Sequence, residues 1–175
     1  MLRRLYVLVF ICVGSRRIEY VACTSNPDGA WMLQQARNLL MDINGGGHRP
    51  RFLIHDRDAK FSRAFDAVFH SGGIRAIRTP VRAPNANAHI ERWVGSVRRE
   101  CLDRLLILNR QQLERVLRVY VRHYNERRPH RALDLRAPAP LTTPSTPPEH
   151  TGSVTEIRRR DLLGGLIHEY EATAA

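Results

Sequence analysis

RFLIHDRDAKF, residues 51–61, is the stretch whose reading decides the fold. Phe52, Leu53 and Ile54 form a short apolar run, long enough for one buried strand. Asp56 follows directly, then Arg57, Asp58 and Lys60. A carboxylate at the exit of a buried strand is held rigidly by the sheet and still faces solvent. Open α/β sheets carry their reactive groups at that position. The same residues also fit a strand with an ordinary polar turn, because Asp is favoured in turns for its local hydrogen bonds. A second carboxylate, Glu91, 35 positions on, separates the two readings.

Around this strand the pattern alternates. Upstream, residues 5–12 and 17–22 are rich in Val, Ile, Tyr and Phe and read as two strands turning at Gly14-Ser15. The first of these runs, with Arg3 and Arg4 before it, also resembles a secretory signal. It is too short to span a membrane, its cleavage pattern is poor, and the hairpin in a cytoplasmic protein is the reading adopted. Asn26, Pro27 and Asp28 signal a helix start. A helix over 28–43 follows, with Leu33, Ala36, Leu40 and Ile43 on one face and Gly45-Gly46-Gly47 as its stop.

Downstream, residues 62–71 read as a short helix and 74–77 as a brief strand. TPVRAPNANA (79–88) is a loop. A long helix is expected from 87 to about 106, its apolar stripe running through Ile90, Val94, Val97, Cys101 and Leu105. Another is expected over 110–125, with Leu113, Val116, Leu117, Tyr120 and Tyr124 on one side. The order is β-β-α-β-α-β-α-α, a mixed sheet flanked by helices. Five of the ten prolines lie between Pro138 and Pro148, so 138–155 reads as a linker, leaving 1–137 as the domain. Residues 156–175 read as a C-terminal tail or a small docking element.

Net charge is +11, and Lys60 is the only lysine. Guanidinium forks suit bidentate phosphate contacts, so a polyanionic partner, nucleic acid, is expected. Cys12, Cys23 and Cys101 are far apart and odd in number, which gives neither a zinc site nor a disulfide framework. Glu91 lies one turn into the long helix. If that helix packs across the central strand, Asp56 and Glu91 converge, and two carboxylates are oxygen donors of the kind Mg²⁺ or Mn²⁺ takes. Asp58 is a spare carboxylate two positions beyond Asp56.

FLIHDRDAKFSRAF (52–65), TPVRAPNANAHIERWVGSVRRECLDRLL (79–106) and YVRHYNERRPHRAL (120–133) resemble the integrase core of bacterial insertion-sequence transposases and retroviral-type integrases. The resemblance implies a ribonuclease H-like fold. It also implies metal-dependent DNA strand cleavage and joining through three acids, with Mg²⁺ or Mn²⁺ as cofactor. DNA is the implied partner, and self-association of the chain is left open. By motif, Asp56 matches the second acid and Glu91 the third, as catalytic residues and metal ligands. Arg92, Arg98, Arg99, Arg57 and Lys60 are candidate DNA contacts. The family's first acid sits on a first strand preceding the hairpin, and no residue here takes that place; Asp28 and Asp42 fall in or beside the first helix. The chain therefore reads as a core lacking its first strand, and inactive alone. The alternative is a non-catalytic DNA-binding or interaction fragment of a transposase.

Overall fold

A computed structural model describes residues 4–46, 49–80, 87–140 and 156–173. The elements in order are β1 (Tyr6–Ile11), β2 (Ile18–Thr24), α1 (Gly29–Gly45), β3 (Phe52–His55), α2 (Arg63–Ser71), β4 (Arg75–Arg78), α3 (Ala88–Glu100), α4 (Arg110–Glu126), β5 (Glu156–Leu162) and β6 (Ile167–Thr173). Short 3₁₀ turns at Leu102–Arg104 and Arg131–Leu133 flank α4. Two compact units result, Met1–Phe10 with Glu19–Arg92 and Ile11–Ile18 with Trp93–Ala175. Among the described residues no helix is long and apolar enough to cross a membrane.

In the first unit, capping sets where both helices begin. The Asp28 carboxylate accepts from Trp31 N at 2.8 Å, and the Ser62 hydroxyl accepts from Phe65 N at 3.2 Å. Each satisfies a backbone donor that the first helical turn leaves unpaired. Helix α1 buries Met32, Ala36 and Leu39, with Leu33, Leu40 and Ile43 partly covered, so its inward stripe is turned slightly from the expected one. Phe65 and Phe69 of α2, Phe10 of β1 and Ile74 complete this core. Gly72 ends α2 against Leu40; a Cβ there would come 2.4 Å from Leu40 Cδ1, so any larger residue would push the Leu40 side chain aside. Gly73 then takes φ +77, the left-handed turn that leads into β4.

Strands β3 and β4 are parallel, with Ile54 opposite Ile77 and His55 opposite Arg78. Parallel neighbours need a crossover, and α2 supplies it. The expected burial of β3 is corrected: Leu53 and His55 face the core, but Phe52 is 43% and Ile54 49% exposed. The strand alternates because α1 and α2 cover only one of its faces. Arg51 and Arg75 lie over the Phe52 ring, at 5.4 and 5.0 Å from its centroid. The strands pair two by two, β1 with β2, β3 with β4 and β5 with β6, where the sequence suggested one mixed sheet.

In the second unit the buried row of α3 is Trp93 and Val97, continued by Cys101. Val97 and Cys101 are the expected positions, but Trp93 takes the place expected of Val94, which is 39% exposed. The helix also stops at Glu100, short of the expected 106. Cys101 leaves the α region (φ −141, ψ −68) and a 3₁₀ turn follows. Burying Cys101 completely in that break seals the end of the row. Helix α4 matches its expected face, burying Leu113, Val116, Leu117, Tyr120 and Tyr124.

Residues 156–173 form an antiparallel hairpin, turned through Leu163, Gly164 and Gly165 at positive φ. Its second strand docks on α4: His123 meets Glu169 at 3.0 Å, and Arg127 bonds Glu171. Most of the 138–155 linker lies outside the described residues, as do residues 81–86 of the 79–88 loop.

Candidate active site

The segment after β3 is a chain of side-chain-to-backbone bonds. Asp56 Oδ1 accepts from Asp58 N at 3.0 Å, which closes one Asx turn. Asp58 Oδ1 in turn accepts from Lys60 N at 2.9 Å and from Lys60 Nζ at 3.1 Å. The Lys60 backbone and ammonium bonds hold the Asp58 carboxyl below the usual aspartate range. Asp58 is thus spent on Lys60, while Asp56 stays exposed at the strand exit. Arg57 Nε donates to Thr79 O at 2.9 Å, bracing the exits of β3 and β4 against each other.

Behind Asp56 sits His55, which is buried. Its Nδ1 lies 2.7 Å from Asp56 O and its Nε2 lies 2.9 Å from Asp66 Oδ1. Asp66 Oδ2 accepts from Arg78 at 3.2 Å. The His55 ring stacks at 4.8 Å on Phe61 and meets Phe65 edge-on at 5.9 Å. Neither His55 nor Asp66 was singled out from the sequence. The signal was available only as an Asp on the inward side of the helix that follows the motif.

Glu91 lies in the first turn of α3 and is exposed. It is two residues, about 200° of helix, from buried Trp93, which turns it away from the core. Arg92, Arg98 and Arg99 are exposed on the same helix. Arg98 pairs with Asp103 at 3.3 Å, and Arg99 folds back over Gly95. As carboxylates, Asp56 and Glu91 are oxygen donors of the type a hard divalent cation takes. Among the described residues no group of three or more His, Cys, Asp or Glu is placed to hold a metal.

The far end of α3 is fixed by the tail motif YNERRPH. Arg128 forks onto Glu100, with Nη2 2.7 Å from Oε1 and Nε 3.1 Å from Oε2, and Tyr120 OH donates to Oε2 at 2.7 Å. Burial pushes the Glu100 carboxyl up, but the Arg128 and Tyr120 bonds outweigh it and hold it below the ordinary glutamate value. Burial and the Glu100 carboxylate raise Tyr120 far above a free phenol. Asn125 clamps the start of β2, donating to Ile18 O and accepting from Ile18 N, both at 2.9 Å. Tyr124 packs edge-on against His130 at 4.6 Å. Burial and the nearby Arg128 charge lower His130 below the ordinary histidine value.

Residues 72–138 match the family model described as integrase core domain. That span holds Glu91 and the tail motif and begins beyond Asp56. Over 91 residues the chain is 37% identical to the insertion element IS476 uncharacterized 39.2 kDa protein of Xanthomonas euvesicatoria, covering 51% of this chain and 26% of that protein. It is 32% identical over 91 residues to the insertion element IS407 uncharacterized 31.7 kDa protein of Burkholderia multivorans (strain ATCC 17616 / 249), covering 51% and 33%. The chain thus spans a third or less of the length of these curated relatives. The fold is similar to that of a chain in the cryoEM structure of the simian T-cell lymphotropic virus intasome in complex with PP2A regulatory subunit B56 gamma. The TM-score there is 0.59 at 15% identity, over 96% of this chain and 60% of that one. These findings bear out the integrase-core resemblance carried by the motifs.

Proposed function

We propose that this chain is a core segment of an insertion-element transposase, acting in DNA strand cleavage and joining, with Asp56 and Glu91 as carboxylate ligands of Mg²⁺ or Mn²⁺. The observation that carries the proposal is the setting of Asp56, an exposed carboxylate fixed at a strand exit, together with a family match that includes Glu91. The fold reading we adopt is ribonuclease H-like, with β1–β2 and β3–β4 as parts of one mixed sheet. When bound, the ion would activate an attacking hydroxyl and offset charge on the phosphate. The protein's own part is to present two oxygen donors and to hold the DNA through Arg92, Arg98, Arg99, Arg57 and Lys60.

The alternative is a non-catalytic fragment that holds DNA through its arginines without joining it; a two-ion site needs donors enough to hold both charges. Iron-directed cleavage tests the shared site. Fe²⁺ replaces the native ion, and peroxide with ascorbate then cuts the backbone beside it. Cuts near both residue 56 and residue 91, suppressed by excess Mg²⁺ and lost in Asp56→Asn, are expected. Cuts that persist in Asp56→Asn and Glu91→Gln, or that fall at one position only, would overturn the assignment.

A further inference from the structure

We propose that His55 is the positioning residue of Asp56, acting together with Asp66; this rests on the reading of Asp56 as a metal ligand. Three elements meet at this imidazole. Through Nδ1 it reaches the carbonyl of Asp56 at 2.7 Å, and through Nε2 the carboxylate of Asp66 on α2 at 2.9 Å. Asp66 is tied in turn to Arg78 at the end of β4. The carbonyl that His55 holds belongs to the residue whose side chain would take the ion. Fixing that carbonyl fixes the peptide leading to Arg57, and so places Asp58 N where it donates to Asp56 Oδ1. The carboxylate is therefore aimed from both sides, by a ring bond on its backbone and a turn bond on its side chain.

Packing alone does not account for this arrangement. Phe61 and Phe65 would accept any flat ring against them, and a phenylalanine would bury more apolar surface without needing two polar partners. The ring at this buried site instead sets both nitrogens within hydrogen-bond distance of oxygens, the Asp56 carbonyl and the Asp66 carboxylate. Outer residues of this kind set ligand orientation, and their loss commonly weakens metal affinity by about 10- to 100-fold.

His55→Phe in the full chain keeps the ring packing and removes both bonds, while Asp66→Asn keeps an acceptor and removes its charge. Two measurements are made on each, Mn²⁺ affinity by the free-ion electron-spin signal and backbone amide exchange by NMR. The expected result for His55→Phe is Mn²⁺ binding weakened about tenfold or more, with faster exchange at the Asp58 amide. The β3 amides should keep their protection, and Asp66→Asn should fall between. Unchanged Mn²⁺ affinity and Asp58 exchange in a folded His55→Phe would overturn the proposal. So would a loss of protection spread equally over β3, which marks general loosening. If the unsubstituted chain shows no Asp56-dependent Mn²⁺ binding, the reading of Asp56 as a ligand fails, and the Asp58 amide alone then decides whether His55 sets the turn.

Discussion

Glu100 is the residue through which the end of α3 is held, and its environment makes two predictions. Arg128→Met strands a half-buried carboxylate with Tyr120 as its remaining partner, at a cost of about 2–3 kcal/mol by denaturant unfolding. Arg128→Lys should recover only part of that, because an ammonium cannot fork onto both oxygens as the guanidinium does. Stability should also fall on the acid side. Glu100 is held below its ordinary value, so its contribution is complete above that value and is lost as pH drops through the folded one. His130 is also lowered, so the unfolded chain takes up its proton first and stability falls further as pH drops below the ordinary histidine value. A pH series of melting temperatures should show Glu100→Gln starting lower near neutrality but declining less steeply; an acid limb as steep as that of the unsubstituted chain would contradict it. Asp56 and Glu91 stood out in the sequence because each falls in a motif that spans only a few residues. His55 with Asp66 was not, since 11 residues and a whole turn of backbone separate partners that only folding brings together.

Among the elements, the helices were the most readable and the strands the least. The 3.6-residue period found α4 with its buried face intact. In α3 the expected Val97 and Cys101 are buried, and one position differs, since Trp93 outweighs Val94 in the contest for the core. The chain's last hairpin escaped notice because EIRRRDL has no apolar alternation, and Ile157 there is 70% exposed. Beside buried Ile167, ion pairs to α4 dock it, so Glu169→Gln with Glu171→Gln should loosen it, seen as earlier protease cleavage within 156–173 while α4 stays intact. The tail motif YNERRPH marked a family before it marked a structure, and the Asn125 clamp now explains one of its letters. Asn125→Ala leaves both Ile18 backbone groups without their partner at a buried site. The expected loss is about 2–4 kcal/mol. Calorimetry reporting under about 0.5 kcal/mol would mean that water replaces the amide.

For the whole molecule, charge was readable from composition and arrangement was not. An excess of +11 carried almost wholly by arginine should bind duplex DNA through phosphates. Affinity is then expected to fall about tenfold to a thousandfold between roughly 50 and 200 mM salt. Fluorescence anisotropy that stays flat across that range would remove the electrostatic argument. The α/β class followed from the alternation of strand and helix signals. The two-by-two strand pairing did not, because hydrogen-bonded neighbours are chosen by partners distant in sequence. One such distance also bears on synthesis. Ile18 leaves the ribosome early, but the side chain that clamps it lies 107 residues later. At roughly 5–20 residues per second, the nascent hairpin waits on the order of 5–20 s for its clamp. A chaperone that holds extended segments would find this stretch open throughout that interval, and slowing translation between the two codons would lengthen its exposure.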